Sequence, residues 1–242
     1  MCTVSWVHRP GGYHLLSNRD EKLTRGRAFI PAVIVRGGVR FIAPVDADFG
    51  GTWLAANEFG VSICLLNGDA GDESLRATRR RSRGLLVREL AWASSRDECV
   101  LWLKQLDLGP FAPFTLLVLE PGRPASLAEW NGNHLTVDPA GDSHMPLTSS
   151  SYDAQGVRRF RLSEFARRVG GAGQVDPALL YRFHSSHGSS PDAYSPCMHR
   201  EDAETVSFSW VVVTQDEIRF LYSPSAPCGH SPCEQQILAR AA

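Results

Sequence analysis

The sequence has no apolar run near the ~18 to 20 residues that a membrane-spanning helix needs, and its N-terminus has no charged segment leading into an apolar stretch of the kind a secretory leader carries. No integral membrane segment is expected, and a cytoplasmic location is. Neither sign of charge is in excess, with 25 Lys and Arg against 26 Asp and Glu, and no basic face is sustained, so nucleic acid is not an expected partner. The six cysteines (Cys2, Cys64, Cys99, Cys197, Cys228, Cys233) are scattered rather than spaced as a disulfide framework, and most are expected to be free thiols. Internal repeats and low-complexity tails are missing too. What is left is an ordinary globular composition, 43% apolar and 21% charged, and a length of 242 residues that reads as a single domain over 1–242.

The hydrophobic pattern gives a mixed order of elements. "TVSWV" (3–7) and "YHLLS" (13–17), split by "HRPGG", read as a hairpin, after which the chain is expected to leave the sheet through "NRDE". Strands are expected at 32–35, 40–43, 52–56 and 61–66. From Gly84 the period changes: Leu85, Leu86, Leu90 and Ala93 share a helical face, and Val100, Leu101, Leu103 and Leu106 repeat the pattern after a capping box of Ser95 and Glu98. The densest basic stretch, "RATRRRSRG" (76–84), precedes these helices and reads as a solvated loop, with an anionic ligand as the alternative. A second β-rich run follows ("FTLLVLE", "SLAEWNG", "HLTVDP", "MPLTSSS"), then helices near 157–169 and 177–187. A terminal hairpin turns at Gln215 and Asp216. Two sheets sandwiched between helical layers suit this order better than alternating βαβ units.

The second residue carries the sharpest chemical signal. If Met1 is removed, Cys2 holds a thiol (ordinary pKa about 8.5) and a free α-amine (about 7.7 to 8.0), so nucleophile and base sit on one residue. Such a site also needs an acid to orient the amine and donors for the oxyanion.

"MCTVSW…GGYHLLSNRDE" resembles the NRDE, or transport and Golgi organization 2, family, whose namesake tetrapeptide is Asn18-Arg19-Asp20-Glu21. The likeness continues in "GGTWLAANEFGVSICLLN" (50–67), with "LTSSSYD" and "CMHREDAETVSFSWVVV" as further support. The resemblance implies an α+β fold, the four-layer αββα sandwich of the N-terminal nucleophile hydrolase type, near the branch of choloylglycine hydrolases and penicillin V acylases. It further implies Cys2 as nucleophile, Asp20 as the residue that holds the amine and thiol, and Asn67 as an oxyanion donor. Asn18, Arg19, Thr52, Trp53 and Ser149 are then expected substrate-binding residues. Those hydrolases carry an Arg where this chain has Ser17 and an Asn where it has Ser149. Arg19 is not expected to replace an Arg at 17, because side chains alternate faces along a strand; Arg200 is another possible cation.

Cys197 and His199 in "CMH", with Cys228, His230 and Cys233 in "CGHSPC", gather ligands that zinc or haem iron would choose. Their spacing is not a standard zinc pattern and a long hairpin separates the two pieces, so no metal ligand is assigned. The expected function is hydrolysis or transfer of an acyl group from an amide or thioester, with a small acyl or lipid-like ligand and no cofactor. The alternative is a non-catalytic carrier of a lipid or of haem, a ligand the family resemblance brings in.

Overall fold

Pro10 and Gly11 turn the chain so that β1 (Cys2–Arg9) and β2 (Gly12–Lys22) pair antiparallel, with Arg9 opposite Gly12; Gly11 takes φ 75°, a conformation costly for any residue with a Cβ. The structure, a computed structural model, describes residues 2–68, 81–170, 175–188, 192–229 and 233–241. After the hairpin come β3 (Phe29–Arg36), β4 (Val39–Val45), β5 (Leu54–Asn57) and β6 (Ser62–Asn67), then helices α1 (Gly84–Leu90) and α2 (Arg96–Gln105). Strands β7 (Phe114–Leu119), β8 (Ser126–Trp130), β9 (Leu135–Asp138) and β10 (Leu147–Ser149) lead to helices α3 (Ala154–Val169) and α4 (Pro177–His184). The described chain closes with β11 (Ala203–Val213), β12 (Glu217–Ser223) and β13 (Glu234–Ala239).

Two antiparallel sheets result, ordered β10-β1-β2-β11-β12-β13 and β3-β4-β5-β6-β7-β8-β9. Strand alternation sorts their side chains into layers. Cys2, Val4, Trp6, Tyr13 and Leu15 of the first sheet meet Ile42, Leu54, Cys64, Leu66 and Leu117 of the second in a core between the sheets. Outside the second sheet, Leu86, Leu90, Cys99 and Leu103 of α1 and α2 cover Phe41, Ile63, Leu116 and Val118. Outside the first sheet, Val169, Leu180 and Phe183 of α3 and α4 cover Leu16 and Phe208. The architecture is thus the expected α+β, four-layer αββα sandwich. Helix α2 begins on Ser95, whose hydroxyl accepts from Glu98 N at 3.1 Å, while the Glu98 carboxylate closes the box one residue early, on Ser94 N.

Two elements differ from expectation. The NRDE segment does not leave the sheet: all four residues lie in β2, Asn18 and Arg19 between β1 and β11, and Asp20 and Glu21 held beyond the start of β1 by β11, with Thr205 opposite Asp20 and Glu204 opposite Glu21. Strand β13 was not expected, since "EQQILA" is mostly polar; it is an edge strand and leaves most of one side to solvent. All six cysteines are free thiols. Among the described residues no helix is long and apolar enough to cross a membrane.

Candidate active site

The N-terminal end of β1 opens into a cavity of about 340 Å³ between the sheet ends. Cys2, Arg19, Asp20, Thr52, Trp53 and Asn67 line it, so six of the eight residues singled out in the sequence share one space. Cys2 faces the inter-sheet core and is only 7% exposed, with Arg19 on β2 and Ser149 on β10 as its direct cross-strand neighbours.

The β2 strand presents two different faces to this site. Arg19 points toward the second sheet, its guanidinium 4.4 Å from the centre of the Trp53 ring and its Nη2 donating to Asp46 Oδ2 at 2.9 Å. Ser17 and Arg19 are two residues apart and so share a face, the reverse of the parity that set Arg19 aside; Ser17 faces the Cys64 thiol deeper in the same core. Asp20 lies on the other face and is fully buried. Its Oδ2 accepts from Arg161 Nη2 at 3.2 Å and its Oδ1 from Thr205 Oγ1 at 2.6 Å.

Arg161, on α3, escaped the sequence reading. It donates to Thr3 Oγ1 at 2.5 Å and to the Tyr194 carbonyl at 3.2 Å, and its side chain is wholly enclosed. A signal was there: Val157, Arg161, Phe165 and Val169 recur at four-residue spacing, and an Arg inside such a stripe faces the protein and must find a carboxylate or carbonyls.

Asn18 shares the Asp20 face and does not line the cavity. Its amide donates to the carbonyls of His184 and Pro196, which leaves Oδ1 to accept from His184 Nδ1 at 3.0 Å. His184 Nε2 then accepts from Ser5 Oγ at 2.8 Å. Burial first, and Arg161 second, lower the His184 pKa to about 3, so the ring is neutral as this pattern requires.

The far wall comes from the second block. The Thr52 hydroxyl donates to the Leu54 carbonyl at 3.0 Å, and the Trp53 indole nitrogen is buried without a hydrogen-bond partner. Gly51 is required by packing: a Cβ there would lie 2.7 Å from the Gly84 backbone, and this close approach lets Thr52 N donate to Gly84 O at 3.0 Å. Arg81, Ser82 and Arg83 therefore run along the cavity rim, so the described end of the basic stretch borders the cavity while Arg81 stays exposed to solvent; residues 76–80 lie outside the described residues. Asn67 ends β6 and lines both this cavity and an adjoining one of about 410 Å³, to which Ser149 and Arg200 belong. The Ser149 hydroxyl is buried without a partner, and Arg200 is paired with Asp202 at 2.7 Å.

Burial pushes the Cys2 thiol above its ordinary pKa, and the carboxylates of Asp20 and Glu21 push the same way, against the amino terminus and Arg19. The thiol is held protonated, so it acts as a nucleophile only with a base at hand.

By sequence, residues 1–155 match the family described as Transport and Golgi organisation 2. The chain belongs to this family. No curated protein matches it by sequence. Solved structures share its fold at low identity. The Caenorhabditis elegans orthologue of N-acylethanolamine-hydrolyzing acid amidase is 14% identical with TM-score 0.63, over 87% of this chain and 92% of that one. Penicillin V acylase from Agrobacterium tumefaciens is 10% identical with TM-score 0.58, over 97% and 85%. A mutant of the conjugated bile acid hydrolase from Clostridium perfringens is 13% identical with TM-score 0.58, over 100% and 97%. The fold is shared with these amidase, acylase and hydrolase structures, and the buried Cys2 stands at the start of its first strand.

Proposed function

We propose that the protein, once Met1 is removed, is an N-terminal cysteine hydrolase or acyltransferase that attacks the carbonyl of an amide or thioester. The observation that carries this reading is that Cys2, Asp20 and Asn67 line one cavity at the end of the first strand, on a fold shared with acylases and amidases. The neutral α-amine takes the Sγ proton as sulfur attacks, and the oxyanion forms against Asn67, whose side chain makes no hydrogen bond among the described residues and can donate an N–H. The ammonium returns its proton to the departing amine or thiol, leaving a thioester on Cys2. Water, or another acceptor, then loses a proton to the same amine as it attacks the thioester, and the acyl product leaves with the thiol restored. Asp20 orients the amine: a carboxylate offers about four acceptor sites, enough to hold an ammonium beside Arg161 and Thr205. Arg19, stacked on Trp53, and Thr52 shape the acyl-side wall, and Ser149 borders the adjoining space. The ligand is a small acyl or lipid-like compound.

A carrier on the same fold is the second reading, favoured by the protonated, buried thiol and by Ser17 and Ser149 where the hydrolases carry Arg and Asn. The test is incubation with a medium-chain acyl thioester, quenching in acid and N-terminal peptide mapping. The enzyme gives one acyl group on Cys2 sulfur, removed by hydroxylamine and lost in Cys2→Ala; a carrier retains the probe only non-covalently, and equally in both proteins.

A further inference from the structure

On the helix side of the first sheet four side chains from three loops converge: His187, two residues beyond the cap of α4, Cys197 and His199, ahead of β11, and Cys228, after β12. One nitrogen or sulfur from each lies within 4.8 Å of all the others. The hairpin that separates these pieces in sequence brings them together in space, because β11 and β12 pair antiparallel and its two open ends lie side by side. His199 Nε2 stands 3.3 Å from Cys228 Sγ and 3.6 Å from Cys197 Sγ. Tetrahedral zinc, with Zn–S near 2.3 Å and Zn–N near 2.0 Å, sets its ligand atoms about 3.3 to 3.8 Å apart, so both distances are edges of such a tetrahedron.

Two further observations point to a ligand. The His187 ring meets that of His199 at 5.1 Å between centroids, yet its Nε2 is buried without a hydrogen-bond partner. A buried imidazole nitrogen facing two sulfurs and a second imidazole is a costly arrangement unless something fills the centre. The other nitrogen of His199, Nδ1, lies 4.0 Å from Glu204 Oε2, beyond hydrogen-bond reach but on the side where a carboxylate favours a ring that turns its Nε2 toward the cluster.

We propose that His187, Cys197, His199 and Cys228 form a structural zinc site. Two thiolates and two imidazoles select zinc over magnesium or calcium, and four protein ligands close the shell, which suits a structural ion and leaves no open position for chemistry. His230 lies outside the described residues and is not needed. The site has a consequence for the cavity. The carbonyl of Pro196, beside Cys197, accepts from Asn18 at 2.8 Å, and Met198 exchanges hydrogen bonds with Thr205, whose hydroxyl reaches Asp20 at 2.6 Å. The metal would pin the loop that braces Asn18 and Asp20 from behind.

The test is metal analysis of the full chain purified without chelator, followed by cobalt titration of the stripped protein. One zinc per chain is expected, with cobalt giving the intense visible bands of a tetrahedral thiolate complex that saturate at one equivalent and bleach when zinc is added. Cys228→Ser, at an exposed position that should not impair folding, is expected to remove one of the two thiolates, leaving about half the charge-transfer intensity and weaker cobalt binding. Three results overturn the proposal: no zinc above the level Cys228→Ser retains, a cobalt spectrum unchanged in that variant, or a Cys197–Cys228 disulfide in the native protein. Each is read without any assay of acyl transfer, so the site and the catalytic reading fail separately.

Discussion

Over the second sheet, α1 and α2 bury Leu86, Val87, Leu90 and Leu103 against an apolar face; over the first sheet, α3 and α4 bury Arg161 and His184 against Thr3, Ser5, Asn18 and Asp20. One layer is held by hydrocarbon, which fixes volume and tolerates exchange of similar shapes. The other adds to its apolar contacts, Leu180 and Phe183 on Leu16 and Phe208, a set of hydrogen bonds and a buried ion pair, which fix direction and tolerate little, since an unpaired charge in that space is expensive. The difference falls where the proposed chemistry needs it. The polar layer lies behind the strands that carry Cys2 and Asp20, and it sets the orientation of Asp20 without touching the cavity's apolar wall.

The sharpest way to break this comparison is Arg161→Ala, which strands the Asp20 carboxylate. A loss of about 3 to 5 kcal/mol in urea unfolding is expected, with the double variant Arg161→Met, Asp20→Leu recovering part of it. Leu86→Ala, in the apolar layer, should cost about 2 to 5 kcal/mol by leaving a cavity, but it should leave the reactivity of Cys2 unchanged, whereas Arg161→Ala should alter it. Equal effects on Cys2 would erase the distinction between the layers. A smaller effect comes from His184, whose folded pKa of about 3 lies below its ordinary 6.5. The unfolded chain then binds a proton that the folded chain refuses, so stability is complete above pH 6.5 and falls as pH drops toward 3, by at most about 1.4 kcal/mol per pH unit. His184→Gln, compared with the parent by thermal unfolding between pH 7 and 4, should flatten this dependence. Smallest is Ser5→Ala, which removes the hydroxyl that donates to His184 and should cost about 1 kcal/mol.

Local pattern made much of this molecule legible. The Pro-Gly turn, the helical period from Gly84 and the capping box all act within a few residues, and the αββα order followed from them together with the NRDE resemblance. Pairing across long separations was harder to read. "NRDE" looks like a polar exit from a sheet until β11, nearly two hundred residues later, supplies its second neighbour. Arg161 reads as one of many arginines on α3 until its four-residue stripe with Val157 and Val169 is set against a buried Asp20. The arginines at 81 and 83 came to border the cavity only through the close approach of Gly51 and Gly84. Cys197 and Cys228 looked remote because a hairpin lay between them, although a hairpin is what brings its own ends together.

The central claim is that Cys2 is a nucleophile served by its own amine. The most direct measurement is intact mass of the native protein before and after brief iodoacetamide treatment at neutral pH, with peptide mapping to compare Cys2 with the exposed Cys233. The account predicts that Met1 is absent and that Cys2, though buried, is labelled faster than Cys233. Retention of Met1, or labelling of Cys2 no faster than Cys233, would contradict it.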